Sequence, residues 1–297
     1  MIKLENISKS FGTIKAVDGT SVDVPKGEIT IITGADGAGK STLLKIIIGL
    51  VKEDSGQIYL EGTPINGKRK IMESICGYMP EQFSLYLDLS VEENMNFFAD
   101  IHKVPYSVRE RRKNQLLEKT GMKNFKSRRA GQLSGGMKQK LALSTILLAA
   151  PELIILDEPT TGVDPLSRIE FFNIINDLKE EGKTLIISTP YLEEAEKGDY
   201  IVFFRNGKII KKDYITNLKR SFPATLYKIL PKSNVFDLWE RATRIKELKN
   251  SIFIKGKYLR YLKTSQNDYT HLLPIKQIEE ESPTLEDIYL YYVREDV

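Results

Sequence analysis

Little in this sequence speaks for a disulfide-stapled, zinc-stitched or membrane-spanning chain. One residue in 297 is cysteine, Cys76, which excludes an internal disulfide framework and any multi-cysteine zinc site and fits a reducing compartment. No apolar run approaches the roughly 18–20 residues that a bilayer-crossing helix needs; the longest, near 46–51 and 141–150, are helix- or strand-sized. The chain therefore forms no pore by itself. Residues 1–10 mix Lys3, Glu5 and Asn6 into their apolar positions and lack a signal-peptide core, so a cytoplasmic protein is expected. Charge of one sign is missing too: 44 Lys+Arg against 40 Asp+Glu leave a net +4, far from a dedicated nucleic-acid binder. The basic run Arg109-Glu110-Arg111-Arg112-Lys113 reads as a solvated helix face. Low-complexity tracts and internal repeats are absent.

The sequence does contain 41% hydrophobic residues, enough to bury one large core or two smaller ones. Strand and helix signals alternate up to about Asn217, the pattern of a largely parallel sheet with crossover helices. Strands are expected at 2–8, 20–24, 28–33, 57–60, 153–156 and 184–188, and helices at 40–51, 136–150 and 165–181. Residues 91–120 read as two helical stretches, the second capped by Ser107 and stopped by Gly121, within a helical insertion at about 91–142. Asn206-Gly207 predicts a hairpin inside 200–212. Beyond it, a strand-like 225–230, a helical 235–247 and a final helix at 284–293 predict a small α+β appendage. The expected domains are thus 1–217 and 218–297.

Directly after the strand 28–33 stands Gly34-Ala35-Asp36-Gly37-Ala38-Gly39-Lys40-Ser41-Thr42, which fits G-x-x-x-x-G-K-[ST] and leads into an apolar helix. Its four fixed positions coincide by chance in roughly one chain of this length per hundred, before the flanking strand and helix are required. Glycines let successive N–H groups curl around a phosphate, Lys40 brings an ammonium to the β- and γ-oxygens, and Ser41 offers a hydroxyl to Mg²⁺. A second element suits the same chemistry. The apolar run Leu153-Ile154-Ile155-Leu156 ends in Asp157-Glu158-Pro159, so a buried strand can aim Asp157 at Mg²⁺ and Glu158 at an attacking water.

About twenty residues before that strand lies Leu133-Ser134-Gly135-Gly136-Met137-Lys138-Gln139. Ser134 and the glycines open a helix and so form a second anion-seeking helix start. Together these elements resemble the ATP-binding cassette (ABC) ATPases, with Met137 at the last position of the LSGGQ signature. The resemblance covers about 1–217 and implies an α/β P-loop NTPase fold of the ABC type. It further implies that two cassettes pair head to tail, with ATP and Mg²⁺ between the cradle of one and the signature of the other. By the same resemblance Phe11 matches the aromatic that stacks on adenine, and Val163-Asp164 the loop that crosses the dimer interface; a bare Asp164 before Pro165 otherwise reads as a helix cap.

Two departures from the family pattern stand out. In Gly77-Tyr78-Met79-Pro80-Glu81-Gln82 the family's glutamine follows the proline directly, which puts Glu81 there and displaces Gln82 by one. A carboxylate holds Mg²⁺ but is repelled by a γ-phosphate; both are candidates, and Gln82 is expected to take part in catalysis and metal binding. In Thr189-Pro190-Tyr191-Leu192-Glu193-Glu194-Ala195, Pro190 occupies the family's histidine position. Proline has no side-chain donor and no N–H, so firm ATP binding is expected with slow turnover, or with turnover that depends on a partner cassette with a complete site. His102 and His271 lie elsewhere and read as surface or core residues.

The closing stretch Pro283-Thr284-Leu285-Glu286-Asp287-Ile288-Tyr289 resembles the last helix of cassettes that serve exporters with separate membrane subunits, multidrug efflux systems included, and Phe83-Ser84-Leu85-Tyr86 resembles the same branch. The resemblance implies an ATPase subunit that powers export, with drugs and related small molecules as the expected cargo. Its partners would be integral-membrane permease subunits docking at about 81–100 and a second cassette, identical or different, at the cytoplasmic face of the membrane; nucleic acid is not expected. The alternative is a soluble ABC protein acting on ribosomes or DNA, but such proteins usually carry two cassettes, a long coiled-coil insertion or zinc cysteines. A P-loop kinase or GTPase fits less well, because of the Leu133-Ser134-Gly135-Gly136 loop and the lack of an N-K-x-D guanine reader. Replacing Lys40 by Ala deletes the charge-assisted phosphate contact. Calorimetry with Mg²⁺ present is expected to show ATP binding abolished or nearly so.

Overall fold

The computed structural model describes residues 1–295 apart from 68, 83, 247, 250 and 265–269. Two compact units divide the chain, Met1–Lys212 and Asp213–Val297. The division falls near the end of the strand Lys208–Tyr214, a few residues before the boundary after Asn217 that the sequence pattern gives.

In chain order the first unit contains β1 (Ile2–Phe11), β2 (Ile14–Val24), β3 (Ile29–Thr33), α1 (Lys40–Ile47), β4 (Ser55–Leu60), β5 (Thr63–Pro64), α2 (Arg69–Ile75) and β6 (Cys76–Met79). Then come α3 (Val91–Ile101), α4 (Tyr106–Lys119), α5 (Gly135–Leu147), β7 (Leu153–Asp157), α6 (Pro165–Glu180), β8 (Thr184–Thr189), α7 (Leu192–Ala195), β9 (Tyr200–Arg205) and β10 (Lys208–Tyr214). A six-stranded sheet has the order β10-β9-β3-β8-β7-β6, and a four-stranded one the order β2-β1-β4-β5. Strands β3, β7 and β8 are buried at every position, which is why they read as unbroken apolar runs rather than as alternation.

Parallel register places Thr33 opposite Thr189, and Asp157 opposite Ser188. The carboxyl ends of three neighbouring strands therefore meet at one edge, where open α/β sheets take their ligands. Under that edge α1 buries Leu43, Leu44, Ile46 and Ile47 against Ile32, Ile155, Ile186 and Phe204. The helix stops at Ile47, short of the expected 51, because Gly49 adopts φ +73°. Asn206 and Gly207 both have positive φ (47° and 79°), the two-residue hairpin geometry foreseen for that pair.

Several elements differ from the sequence reading. Strands β1 and β2 are longer than 2–8 and 20–24, and β6 and α2 went unread. In the helical insertion α4 begins at Tyr106 behind Pro105, so Ser107 lies inside the first turn and caps nothing; a proline before the helix already sets its entry. Ser90 instead caps α3 in a reciprocal pair with Glu93. Phe83 and Glu247, each part of a stretch named above, lie outside the described residues.

The second unit holds α8 (Ile215–Arg220), β11 (Thr225–Pro231), α9 (Val235–Thr243), β12 (Ile252–Lys255), β13 (Tyr258–Lys263), β14 (Ile275–Glu281) and α10 (Leu285–Glu295). Its strands form an antiparallel sheet, β12-β13-β11-β14, on which α9 buries Val235, Leu238 and Ala242. Asp287 is fully buried in α10. It accepts hydrogen bonds from Thr284 N and Oγ1 (2.8 and 2.7 Å), and its Oδ2 lies 3.5 Å from buried Arg260, which also pairs with Glu281. Removing one partner of a buried ion pair leaves the other charge uncompensated, at about 3–5 kcal/mol. Asp287→Ala is expected to destabilise the second unit by that amount, read in urea from the fluorescence of Trp239, the one tryptophan of the chain.

Candidate functional site

The loop after β3 takes its path from two backbone carbonyls. A Cβ on Gly34 would sit 1.9 Å from the Phe204 oxygen, and one on Gly39 would sit 2.0 Å from the Ala16 oxygen, where Gly39 also has φ +107°. Only glycine fits either place. Hydrogen bonds from Gly207 N to Ala38 O (2.9 Å) and from Asp18 N to Gly207 O (2.8 Å) tie the loop to the β9/β10 hairpin and to β2. The first turn of α1 then opens at Gly39 with no side-chain cap, leaving its N–H groups to a ligand.

Lys40 is only 3% exposed. Its ammonium donates to the Gly34 and Ala35 carbonyls (3.0 and 3.1 Å) and lies 3.3 Å from Glu158 Oε1. Asp157 ends β7, and its Oδ1 accepts from Ser41 Oγ (2.9 Å) and Ser188 Oγ (2.6 Å), while the Tyr78 hydroxyl stands 3.4 Å from Oδ2. Burial, and then the Asp157 charge, push the Tyr78 phenol up, so it stays a donor. Glu158 has φ +49°, a strained backbone for a non-glycine residue that costs of order 1–3 kcal/mol. Its N–H donates to Ser188 O (3.1 Å) and Ser188 Oγ (3.0 Å).

Ser41 and Asp157 present one hydroxyl and one carboxylate, hard oxygen donors already in contact. Among the described residues no group of three or more His, Cys, Asp or Glu side chains could hold a metal. The donor set therefore suits Mg²⁺ shared with phosphate oxygens and does not suit an all-protein cage.

A cavity of about 710 Å³ opens over these groups, bounded by Gly37, Lys40, Ser41, Glu81, Glu158 and Asn206 among others. Ile14, at the start of β2, lines it; Phe11 does not, and its half-exposed ring lies 5.6 Å from the Lys9 ammonium. Glu81 lines the cavity and Gln82 does not, although both are exposed. Pro190 contributes no wall either.

Leu133, Ser134, Gly135 and Gly136 stand elsewhere and line no part of the cavity. Ser134 caps α5 by accepting from Met137 N (3.3 Å). A Cβ on Gly136 would meet Ser167 at 2.4 Å, so glycine lets α5 approach the start of α6. Asp164 caps α6, and the Ser167 N–H (3.0 Å) holds its carboxyl below the usual range. Apart from Phe11 and Gln82, the sequence-predicted residues thus fall into two groups, 34–42 with 81, 157 and 158, and 133–136 with 164.

Sequence reasoning missed a buried carboxylate beside both groups. Glu194 accepts from Thr160 Oγ1 (2.5 Å) and Thr189 Oγ1 (2.6 Å), with Arg168 3.7 Å away. Arg168 also lies over the Tyr191 ring (4.5 Å) and donates to Val163 O (2.8 Å). Ser188, Tyr78 and Ile14 were missed as well: sheet register brings Ser188 and Tyr78 to the site, and Ile14 comes from the β1/β2 hairpin, where it pairs with Phe11. His102, exposed beside the Phe98 ring, has its pKa lowered by desolvation on its packed side and plays no part in the cavity.

The ABC transporter family profile matches residues 17–161. Over 98% of its length the chain is 34% identical to the probable multidrug ABC transporter ATP-binding protein YbhF of Escherichia coli (strain K12), covering 51% of that protein. The chain thus spans about half the length of this relative. It is 39% identical over 216 residues to the lantibiotic transport ATP-binding protein SrtF of Streptococcus pyogenes, covering 72% of this chain and 91% of SrtF. Among solved structures it is similar to an ATP-binding subunit of an ABC transporter, with TM-score 0.66 and 29% identity over 75% of this chain and 93% of that one. A dimeric ATP-binding cassette in a post-hydrolysis state, bound to ADP and Pi, gives TM-score 0.65 and 27% identity over 72% and 99% of the two chains.

Gly34→Ala places a methyl on the Phe204 carbonyl. It is expected to cost about 1–3 kcal/mol or more of stability and to abolish nucleotide binding, as checked by thermal melting and by calorimetry with MgATP.

Proposed function

The chain belongs to the ABC transporter family, and on that premise we propose that it is the ATP-binding and ATP-hydrolysing subunit of an exporter whose permease is a separate protein. The observation that carries the reading is the contact of Ser41 with buried Asp157, beside Lys40 and Glu158 in the wall of one cavity. In this reading residues 34–42 wrap the phosphates, and Lys40 exchanges its contact with Glu158 for phosphate oxygens. Ser41 and Asp157 hold Mg²⁺, with Glu81 and Gln82 as further candidates beside it; the bound ion neutralises phosphate charge. Glu158, relieved of Lys40, accepts a proton from the water that attacks the γ-phosphorus, and the bond to the β-phosphate oxygen breaks to leave ADP and phosphate.

Leu133 to Gly136 and Asp164 complete the site from a second cassette, which accounts for two anion-seeking surfaces held apart in one chain. Phe11, at the end of β1, and Ile14, at the start of β2, are the candidates for adenine contact. The reading gives slow turnover, since Pro190 brings no donor and Glu81 brings a carboxylate to the cavity wall.

For the permease contact the support is an apolar surface at the entrance to the helical insertion, where Tyr86, Leu87 and Ile101 are about half exposed. No helix among the described residues is long and apolar enough to cross a membrane; in this reading the membrane path belongs to the permease. Multidrug export as the cargo class is supported by the names of YbhF, SrtF and the linearmycin resistance protein LnrL of Bacillus subtilis (strain 168), to which the chain is 35% identical over 196 residues. Co-purification from membranes with a multi-span protein separates this reading from a soluble role on ribosomes or DNA.

Steady-state turnover tests the chemistry. Glu158→Gln is expected to keep MgATP binding while turnover falls by 10² or more, the usual share of a general base, and Pro190→His is expected to raise turnover. Brisk turnover in the parent with no gain from Pro190→His would defeat the slow-cassette reading.

A further inference from the structure

Strand β8 is apolar through Leu185, Ile186 and Ile187, then turns polar at a position with no solvent: Ser188 is 0% exposed. A buried hydroxyl is costly unless its hydrogen bonds are used. This one uses them on the two acidic residues of the neighbouring strand end. It donates to Asp157 Oδ1 at 2.6 Å and accepts from the Glu158 N–H at 3.0 Å. The same N–H reaches the Ser188 carbonyl at 3.1 Å, so one residue holds both the carboxylate of Asp157 and the left-handed backbone of Glu158.

We infer that Ser188 is a positioning residue, the buried clamp that sets the Asp157 carboxylate for Mg²⁺ and the Glu158 backbone for the attacking water. The inference rests on the reading of Ser41 and Asp157 as the Mg²⁺ site. Two hydroxyls reach Asp157 Oδ1. Ser41 belongs to the phosphate-binding loop and itself faces the ligand, whereas Ser188 is anchored in a central strand by parallel pairing on both sides. Ser188 is therefore the partner held by the sheet and not by the ligand-binding loop. Groups in this relation to a metal-holding side chain typically contribute 10–100-fold to metal affinity when removed.

The test is titration of the full chain with a fluorescent, non-hydrolysable ATP analogue, in EDTA and at graded Mg²⁺. In Ser188→Ala the Mg²⁺ concentration needed for half-maximal tightening is expected to rise about tenfold or more, with affinity in EDTA unchanged. Ser188→Thr, which keeps the hydroxyl, is expected to restore most of the Mg²⁺ response. Ser188→Cys, close in size but a weak donor, is expected to fall on the Ala side and serves if the Ala variant does not fold. An unchanged Mg²⁺ response in the Ala or Cys variant, or an equal loss with and without metal, overturns the clamp and leaves the Mg²⁺ site standing. If the parent binds the analogue no better with Mg²⁺ than in EDTA, the Mg²⁺ site falls and the clamp with it.

Discussion

Two carbonyl oxygens, those of Phe204 and Ala16, press so close on the loop after β3 that Gly34 and Gly39 have no room for a side chain. Most of the site follows from that crowding. The loop is bent over β9 and β2, and α1 starts where Lys40 and Ser41 face the end of β7. A bulkier residue at either glycine would move all of these groups together.

Charge is handled just as locally. Lys40 has few ways to be solvated, and its ammonium is met by two carbonyls and by Glu158. A buried cation held in this way is compensated without being locked, since carbonyls and one carboxylate at 3.3 Å are weaker partners than a triphosphate. The strained Glu158 is held from the neighbouring strand, so its cost is met by sheet pairing that the core needs in any case.

How much of this was legible in the sequence depends on the distance over which each feature is encoded. The loop 34–42, the acidic end of β7 and the start of α5 show in short windows, because each puts several residue types at fixed spacing on one element. The buried strands β3, β7 and β8 show for the same reason. Ser188 and Tyr78 do not, since they reach the site through pairing between strands far apart in the chain, and a serine at a strand end looks like any other; Ile14, on the β1/β2 hairpin, is a residue type that marks no ligand contact. Strands β6, β12, β13 and β14 are short or mixed in polarity, and the appendage therefore read as one strand and two helices when it holds a four-stranded sheet. Ser107 looked like a cap because serine prefers that place, but Pro105 had already turned the chain into α4.

The buried Asn94 of α3 uses its amide nitrogen on the carbonyls of Tyr86, Leu89 and Ser90, and its oxygen on the N–H of Tyr86. The stretch that carries the exposed Tyr86 and Leu87 is thereby fastened to the helix behind it at both ends. The position of those two exposed side chains is therefore set by α3 rather than by the loop that carries them.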